Sequence, residues 1–498
     1  MVAGGARHRW QIVCRRPHFP LAGGRSVSSL PGMSLSTSEI DTAFAPFREK
    51  METVGLSEAA VRAFAGAYAA LRRGATGLMA ETEIEPAGGL PRAADLAPSS
   101  HPDLLAQTVV IKLNGGLGTG MGLEKAKSLL PVRGRDTFLD LIARQVLRLR
   151  ARTGGMAPRF LLMNSFSTSE DTRAHLAAHQ PGLGDPAGLE LMQNRVPKVL
   201  ASDFSPLHWP AQPDLEWCPP GHGDIYACLL GSGWLDRLLA EGVRYAFVSN
   251  ADNLGATLDE TLLGWFASSG QAFAMEVTRR TAADRKGGHL ARRRSDGRLL
   301  LRESAQCPKD DEAAFQDIDR HQFFNTNNLW IRLDRLRDEL RRHHGLIPLP
   351  IIINKKTADP RDPATPAVLQ LETAMGAAIE CFPDAGAIDV PRTRFAPVKT
   401  TADLLAVRSD AYLLTDDLRL ELDPSRHGQP PRIELDPSCK LVDGLDAAFP
   451  HGSPSLRECR SLTLRGRFVV DPAAVFQGDV TLVNEAAEAR YLPAGVYA

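Results

Sequence analysis

The sequence carries almost no net charge: 58 Lys and Arg against 59 Asp and Glu leave a formal −1. A chain so balanced gives no support for nucleic acid or an anionic membrane as partner, while leaving room for local basic pockets that hold phosphates. Cysteine is scarce and scattered, at positions 14, 218, 228, 307, 381, 439 and 459, with no C-x-x-C pair. That excludes a disulfide framework and a zinc site, and fits a reducing compartment, read here as the cytoplasm. No run approaches eighteen apolar residues, so no membrane-spanning helix is expected. Acidic residues are missing before Glu39, where five arginines stand at positions 7, 9, 15, 16 and 25. This leader, residues 1–35, reads as an organelle transit peptide or, more plainly, as a disordered tail from a start assigned ahead of Met33. It carries no chemistry on either reading.

Two familiar phosphate motifs are also absent. No Gly-Lys-Ser/Thr follows the glycine-rich stretch at Walker spacing, and Met121 stands where a dinucleotide fingerprint needs its third glycine. What is present, in 498 residues of which 43% are hydrophobic and 23% charged, is an ordinary globular composition long enough for two or three domains. The densest signal runs from Gln107 to Ser128. An apolar run (Val109, Val110, Ile111, Leu113) breaks into a loop with glycines at 115, 116, 118, 120 and 122, followed by Lys125 and Lys127. A buried strand feeding such a loop brings backbone N–H groups close to phosphate oxygens with no Cβ in the way, and a lysine beyond supplies charge.

The chain in order predicts an α/β fold. Ser57-Glu58 caps a helix with Val61, Phe64, Tyr68 and Leu71 on one face, part of a helical segment spanning 36–106 whose residues 73–106 read as loop. A helix is expected over 137–150, and strands over 159–164, 245–253 and 272–278. Strands alternating with helices predict a mostly parallel sheet in a catalytic domain over 107–422, with ligands at the carboxyl ends of its strands. Beyond a linker at Pro424 and 427–431, short alternating runs (Leu462/Leu464, Phe468/Val470, Val475, Val480/Leu482) predict a small β-domain over 423–498, in the rhythm of a β-helix.

Four further stretches carry chemistry. Asp252, in S-N-A-D-N after an apolar strand, is a single carboxylate of the kind that holds Mg²⁺ beside substrate phosphates; an Asx turn is the plain alternative. His222, flanked by glycines in P-P-G-H-G-D, is expected exposed at a loop tip, where backbone N–H groups grip an anion, though a lone histidine is more often structural. In F-N-T-N-N-L-W, strand alternation puts Asn325 and Asn327 on one face, where amides suit sugar hydroxyls; a plain turn is the competing reading. Lys399 precedes Thr400-Thr401, which open a helix. A lysine set against a helix dipole is relieved when it faces an anion.

Together these stretches resemble the UTP–glucose-1-phosphate uridylyltransferase family, from about Ser36 to the C-terminus. The resemblance is carried by K-L-N-G-G-L-G-T-G-M-G, Q-N-R-V-P-K, P-P-G-H-G-D-I-Y, V-S-N-A-D-N-L-G-A-T, D-R-K-G-G, F-N-T-N-N-L-W, I-N-K-K-T, Q-L-E-T-A-M-G-A-A-I and R-F-A-P-V-K-T-T-A-D-L-L. It implies a Rossmann-like, GT-A-like nucleotidyltransferase domain with a C-terminal left-handed β-helix, and in-line attack of glucose 1-phosphate on the α-phosphorus of UTP without a covalent intermediate. It also implies site residues. Leu113, Asn114, Gly115 and Gly116 cradle the nucleotide, Lys127 contacts its phosphates, and Gln193 with Gly221 reads the uracil edge. His222 contacts the sugar phosphate, Asn250 and Asp252 lie at the phosphates with Asp252 as Mg²⁺ ligand, and Gly288, Glu303, Asn325 and Asn327 hold glucose hydroxyls. Lys399, with Lys127, is the catalytic cation. The alternative is a broad-specificity UDP-sugar or UDP-N-acetylhexosamine pyrophosphorylase. The loop G-M-G-L-E-K-A-K-S departs from the eukaryotic S-M-G-C-K-G-P-K-S and is nearer to bacterial members. The chain stops short of the eukaryotic tail used for end-to-end assembly, which bears on a homo-oligomer formed through the C-terminal domain.

Overall fold

The computed structural model describes residues 36–155 and 157–498; the arginine-bearing leader lies outside them. Two capped helices open the described chain. Ser36 and Glu39 form a capping box on α1 (Thr37–Thr53), and the Ser57 hydroxyl accepts from Ala60 N–H at the start of α2 (Glu58–Arg72). Their apolar faces meet through Phe44, Phe47, Phe64 and Tyr68, with Phe47 and Tyr68 rings 4.9 Å apart. The same cluster takes in Trp217, Leu369 and Leu371, so the helix pair packs on the small sheet Ile351–Thr357, Ala367–Thr373 and Val199–Leu200. The stretch expected as loop over 73–106 also contains a strand and the short helix Pro102–Ala106.

The molecule is organised on one ten-stranded sheet: β1 (Ile84–Pro86), β2 (Thr108–Asn114), β3 (Arg159–Asn164), β4 (Glu190–Met192), β5 (Tyr245–Asn250), β6 (Phe273–Arg279), β7 (His289–Arg293), β8 (Leu299–Arg302), β9 (Phe323–Arg332) and β10 (Gly386–Asp389). The main path runs β1-β7-β9-β5-β2-β3-β4, with β6 joining β9 to β10 and β8 pairing β7. Strands β5, β2, β3 and β4 are parallel, as are β6 and β10, whereas every pairing of β9, β7, β8 and β1 is antiparallel. The expected mixed sheet stands, but its mostly parallel character is corrected: antiparallel pairings are at least as many as parallel ones. The physical reason is partly local: β7 and β8 are joined by a tight hairpin over Gly297 (φ 71), which needs no crossover helix.

The parallel block positions the site. Alternate residues of β2 enter two different cores, Val110 on one face and Val109 with Ile111 on the other, so the strand reads as continuously apolar. In register, Leu113 stands beside Asn250, and Asn114 beside Asn164, which pairs Met192. The strands thus end together on one edge, where their polar turns gather.

The C-terminal strands form three short parallel sheets. Cys459–Arg465 lies between Arg432–Glu434 and Gly478–Val483, Phe468–Val470 pairs Arg490–Leu492, and Ala474–Phe476 pairs Gly495–Tyr497. Leu462, Leu464, Phe468, Val470 and Val480 turn inward as their alternation predicts, but Ala474 and Phe476 fill the core in place of Val475, which is half-buried. This interior continues through Cys439, Val442 and Leu445 into the core that holds Val110 and Phe138.

Candidate active site

The glycine loop starts where β2 ends. Leu113 is half-buried at the edge, and the Asn114 side chain turns away beneath it, donating to Asn164 Oδ1 (2.8 Å) and Thr172 Oγ1 (3.0 Å). Asn114 therefore offers a ligand its backbone and not its amide. The Gly115 carbonyl accepts from the Ser165 hydroxyl at 2.9 Å, and a Cβ at Gly115 would stand 2.6 Å from Gln193 Oε1. The same Gln193 amide donates to the Gly221 carbonyl at 3.0 Å. Gly221 (φ 80, ψ 170) occupies a region essentially reserved for glycine, and a Cβ there would meet the Thr373 carbonyl at 2.4 Å. Gln193 thus ties together the two loops that the family resemblance places around the nucleotide.

The loop folds back through an isolated bridge between Leu117 and Ala126, and Lys127 N–H donates to the Gly116 carbonyl at 3.2 Å. This delivers the Lys127 ammonium to Asp252 Oδ2 at 2.6 Å, both side chains mostly buried. Lys125 is exposed, so Lys127 is the lysine that reaches Asp252. Asp252 sits two residues past the end of β5 at Asn250. Its other oxygen, Oδ1, is buried and accepts no hydrogen bond from the described residues. A buried, unpaired carboxylate oxygen is costly unless a cation or donor comes to it, so this residue suits a divalent ion. No cluster of three or more His, Cys, Asp or Glu capable of holding a metal occurs among the described residues. A divalent ion held here would have Asp252 as its one protein carboxylate, beside the Lys127 ammonium.

His222 corrects an expectation. It is half-buried and not at an exposed tip, because its Nδ1 accepts the Met375 N–H at 2.9 Å. Burial lowers its pKa to about 4, so it presents a neutral imidazole with Nε2 as the free edge. The loop is anchored from behind: Asp224 accepts from Asn194 N–H (2.8 Å) and its amide, and from Cys228.

The expected sugar side is built around a bulge. Register slips between Glu276 and Val277 of β6, and the two extra residues in β9, Thr326 and Asn327, bulge out, with Asn327 at φ 58. Regular alternation, the basis on which Asn325 and Asn327 were expected to share a face, is broken there. They face each other regardless, the Asn325 amide donating to Asn327 Oδ1 (2.9 Å) and accepting Asn327 N–H (2.9 Å). Asn325 N–H also donates to the Gly288 carbonyl at 3.2 Å, and a Cβ at Gly288 would be 2.5 Å from Glu303 Oε2. Burial pushes the Glu303 carboxyl upward, while the charge of Lys399 and the amide of Asn325 pull it back. Gly288, Glu303, Asn325 and Asn327 therefore gather in one place, with Lys399 near them.

Lys399 is exposed just before the helix Thr401–Arg408, whose capping box joins Thr400 and Asp403. Asp403 also accepts the Lys399 N–H at 2.9 Å. The preceding segment runs against the Asp252 turn: Asn253 bridges Pro397, and Val398 N–H donates to the Asp252 carbonyl at 3.3 Å. Sequence reasoning missed the residues that fasten this junction, Asn253, Glu276 and Arg394, and Lys112 beneath it. Glu276 and Lys112 were visible as single charges inside apolar strands, which are rarely buried without a partner.

Comparison with known proteins identifies the family. A profile of the family described as UTP--glucose-1-phosphate uridylyltransferase matches residues 75–477. A Pyrus pyrifolia protein of that name is 39% identical over 400 residues, 80% of this chain and 82% of its own. One from Saccharomyces cerevisiae is 41% identical over 380 residues, covering 76% and 74% respectively. Among solved structures, a UDP-glucose pyrophosphorylase mutant from Leishmania major, in complex with UDP-glucose, superposes with a TM-score of 0.87 at 47% identity, covering 93% of this chain and 98% of that one. A Trypanosoma brucei structure described as UDP-glucose phosphorylase gives 0.84 at 46% identity, covering 91% and 98%. The chain belongs to the UTP–glucose-1-phosphate uridylyltransferase family.

Proposed function

We propose that the protein catalyses the reversible reaction of UTP with α-D-glucose 1-phosphate to give UDP-glucose and diphosphate. The observation that carries this reading is the meeting of Lys127 and Asp252 at 2.6 Å, from the glycine loop and a strand end, with the segment bearing Lys399 hydrogen-bonded to the Asp252 carbonyl. One cation meets the carboxylate and the adjoining segment carries a second, without an activated nucleophile, which suits direct phosphoryl-group chemistry governed by positioning and charge.

In this mechanism the backbone from Leu113 to Gly116 cradles UTP, and Gln193 with Gly221 meets the uracil edge. Asn250 lies toward the phosphates. His222, neutral, holds the sugar phosphate through Nε2, and Gly288, Glu303, Asn325 and Asn327 receive the glucose hydroxyls. A phosphate oxygen of glucose 1-phosphate attacks the α-phosphorus in line, the bond to the β-phosphate bridging oxygen breaks, and diphosphate leaves. Lys399 stabilises charge developing between the two phosphates, and Lys127 the departing diphosphate. A divalent ion at Asp252, read as Mg²⁺, supplies charge neutralisation at the UTP phosphates.

Three further readings go with this one. The C-terminal ladders are read as coils of a left-handed β-helix, supported by their parallel pairing on three faces. The chain is divided at 106/107 and 422/423. It works as a cytoplasmic enzyme that can self-associate through its C-terminal part; no described helix is long and apolar enough to cross a membrane.

The test is diphosphate release from UTP with glucose, galactose and N-acetylglucosamine 1-phosphates, repeated with other nucleoside triphosphates. Fastest turnover with UTP and glucose 1-phosphate is expected. Best turnover with the N-acetyl sugar would overturn the reading.

A further inference from the structure

The two segments that meet in the site, the turn 251–257 carrying Asp252 and the stretch 394–399 ending in Lys399, come from chain positions more than a hundred residues apart. They are joined by buried side chains whose hydrogen bonds run to the protein itself. Asn253, 1% exposed, donates through Nδ2 to the Arg394 carbonyl (3.1 Å) and accepts Ala396 N–H on Oδ1 (3.0 Å). One amide thus completes, sideways, the backbone ladder that Asn253 and Pro397 begin. Arg394, 4% exposed, reaches back with Nη2 to the Thr257 carbonyl at 3.0 Å, closing the same turn from its far end.

Arg394 is itself held. Its Nε and Nη2 donate to the two oxygens of Glu276 at 2.8 and 2.7 Å, and Glu276, fully buried, also accepts from Asn328 Nδ2 (2.9 Å) and Trp330 Nε1 (3.0 Å). Four donors on one buried carboxylate leave no slack in its position, and the planar fork of arginine leaves little in its own. Lys112, 2% exposed, adds a third tie, donating to Ser249 Oγ (2.7 Å) and the Ala256 carbonyl (2.6 Å) at the end of β5. The ties from Asn253, Arg394 and Lys112 end on the backbone of the Asp252 turn or of the Lys399 stretch, or on the end of the strand that leads into the turn, and Glu276 on β6 holds Arg394 from behind.

We propose that Asn253 and the buried Arg394–Glu276 pair are positioning residues that set the spacing between the Asp252 carboxylate and the Lys399 ammonium, with Lys112 seating the turn from below. They act on the transferred charge through those two residues. The nucleotide is gripped elsewhere, by the glycine loop, Gln193 and Gly221. Loosening the ties therefore misplaces the reacting charges and leaves nucleotide binding in place. A displacement of about 1 Å costs on the order of a hundredfold in rate.

The inference rests on the reaction proposed above, and one experiment separates them. Asn253→Ala and Glu276→Gln are compared with the parent and with Phe44→Leu, a control that loosens the α1–α2 core far from the site. Steady-state kcat and KM, UTP affinity by calorimetry and Tm are measured for each. The two site variants are expected to lose about a hundredfold in kcat, with KM and UTP affinity within about threefold of the parent, while Phe44→Leu loses Tm and keeps kcat. Should Asn253→Ala fail to fold, Asn253→Asp keeps the acceptor for Ala396 N–H, removes the donor to Arg394, and is expected to show the same split. Retained kcat in folded variants, or loss of UTP affinity equal to the loss of rate, overturns the positioning role. An inactive parent overturns the reaction and with it the basis of the inference.

Discussion

The two sides of the cleft are made of different material. The side proposed for the nucleotide is backbone and glycine: Gly115 and Gly221 leave no room for a Cβ because the Gln193 amide and the Thr373 carbonyl stand 2.6 and 2.4 Å from where one would sit. The side proposed to manage the transferred charge is built from charged side chains, Lys127 on Asp252 and Arg394 on Glu276, all of them mostly buried. A backbone wall recognises through shape and N–H direction, and a side-chain wall through charge held at a set distance. Substitutions should therefore separate the two, the first acting on binding and folding, the second on turnover.

The largest expected effect is on the charged side. Lys399→Ala leaves the backbone of the 394–399 stretch intact, since the tie at this residue runs from its main-chain N–H to Asp403. Its loss removes a cation from the transition state, and kcat is expected to fall by about a thousandfold with UTP affinity little changed. Near-normal turnover, measured as diphosphate release, would remove Lys399 from the mechanism. Asp252→Ala comes next. It takes away the carboxylate proposed for the ion and frees Lys127, so turnover should no longer depend on Mg²⁺ concentration as in the parent. A metal titration superposing on that of the parent would exclude the assignment.

On the backbone side, Gly221→Ala and Gly116→Ala form a matched pair. At Gly221 the substitution meets both a glycine-only conformation and a carbonyl, and about 2 kcal/mol or more of destabilisation is expected, together with a raised KM for UTP. At Gly116 a Cβ meets nothing within 4 Å, so Tm should hold while KM for UTP alone rises. Thermal melts and initial rates decide, and an equal loss of Tm in both would mean that the loop is packed and not open to a ligand.

The same difference explains what was legible in the sequence. The glycine loop, the caps at Ser57 and Thr400, and strands β2, β3 and β5 are local patterns, and they stand where periodicity and turn chemistry place them. The antiparallel half of the sheet was not legible, because whether β9 enters beside β5 parallel or antiparallel depends on where the chain returns from. The bulge at Asn327 and the burial of His222 were hidden likewise: one arises from pairing with β6, the other from Met375, 153 residues away. Glu276 and Lys112 carried a signal, a lone charge in an apolar strand, but their partners Arg394 and Ser249 are long-range and no spacing names them.

The smallest expected effect is at His222, in the loop that follows Gly221. Its pKa is lowered to about 4 by burial, against an ordinary value of 6.5, so the unfolded chain takes up this proton before the folded protein does. Stability from this group is therefore complete above pH 6.5 and declines as pH falls toward 4, below which both states are protonated and the slope ends. His222→Gln should flatten that part of the stability–pH curve measured by urea unfolding at fixed temperature, leaving the slope above pH 6.5 as in the parent. Turnover in the parent should not gain an inflection from imidazole protonation between pH 7 and 5, since the folded ring stays neutral there. An inflection near 6.5 that disappears in His222→Gln would mean that the ring is solvated, and would return His222 to the exposed loop tip that its glycine neighbours first suggested.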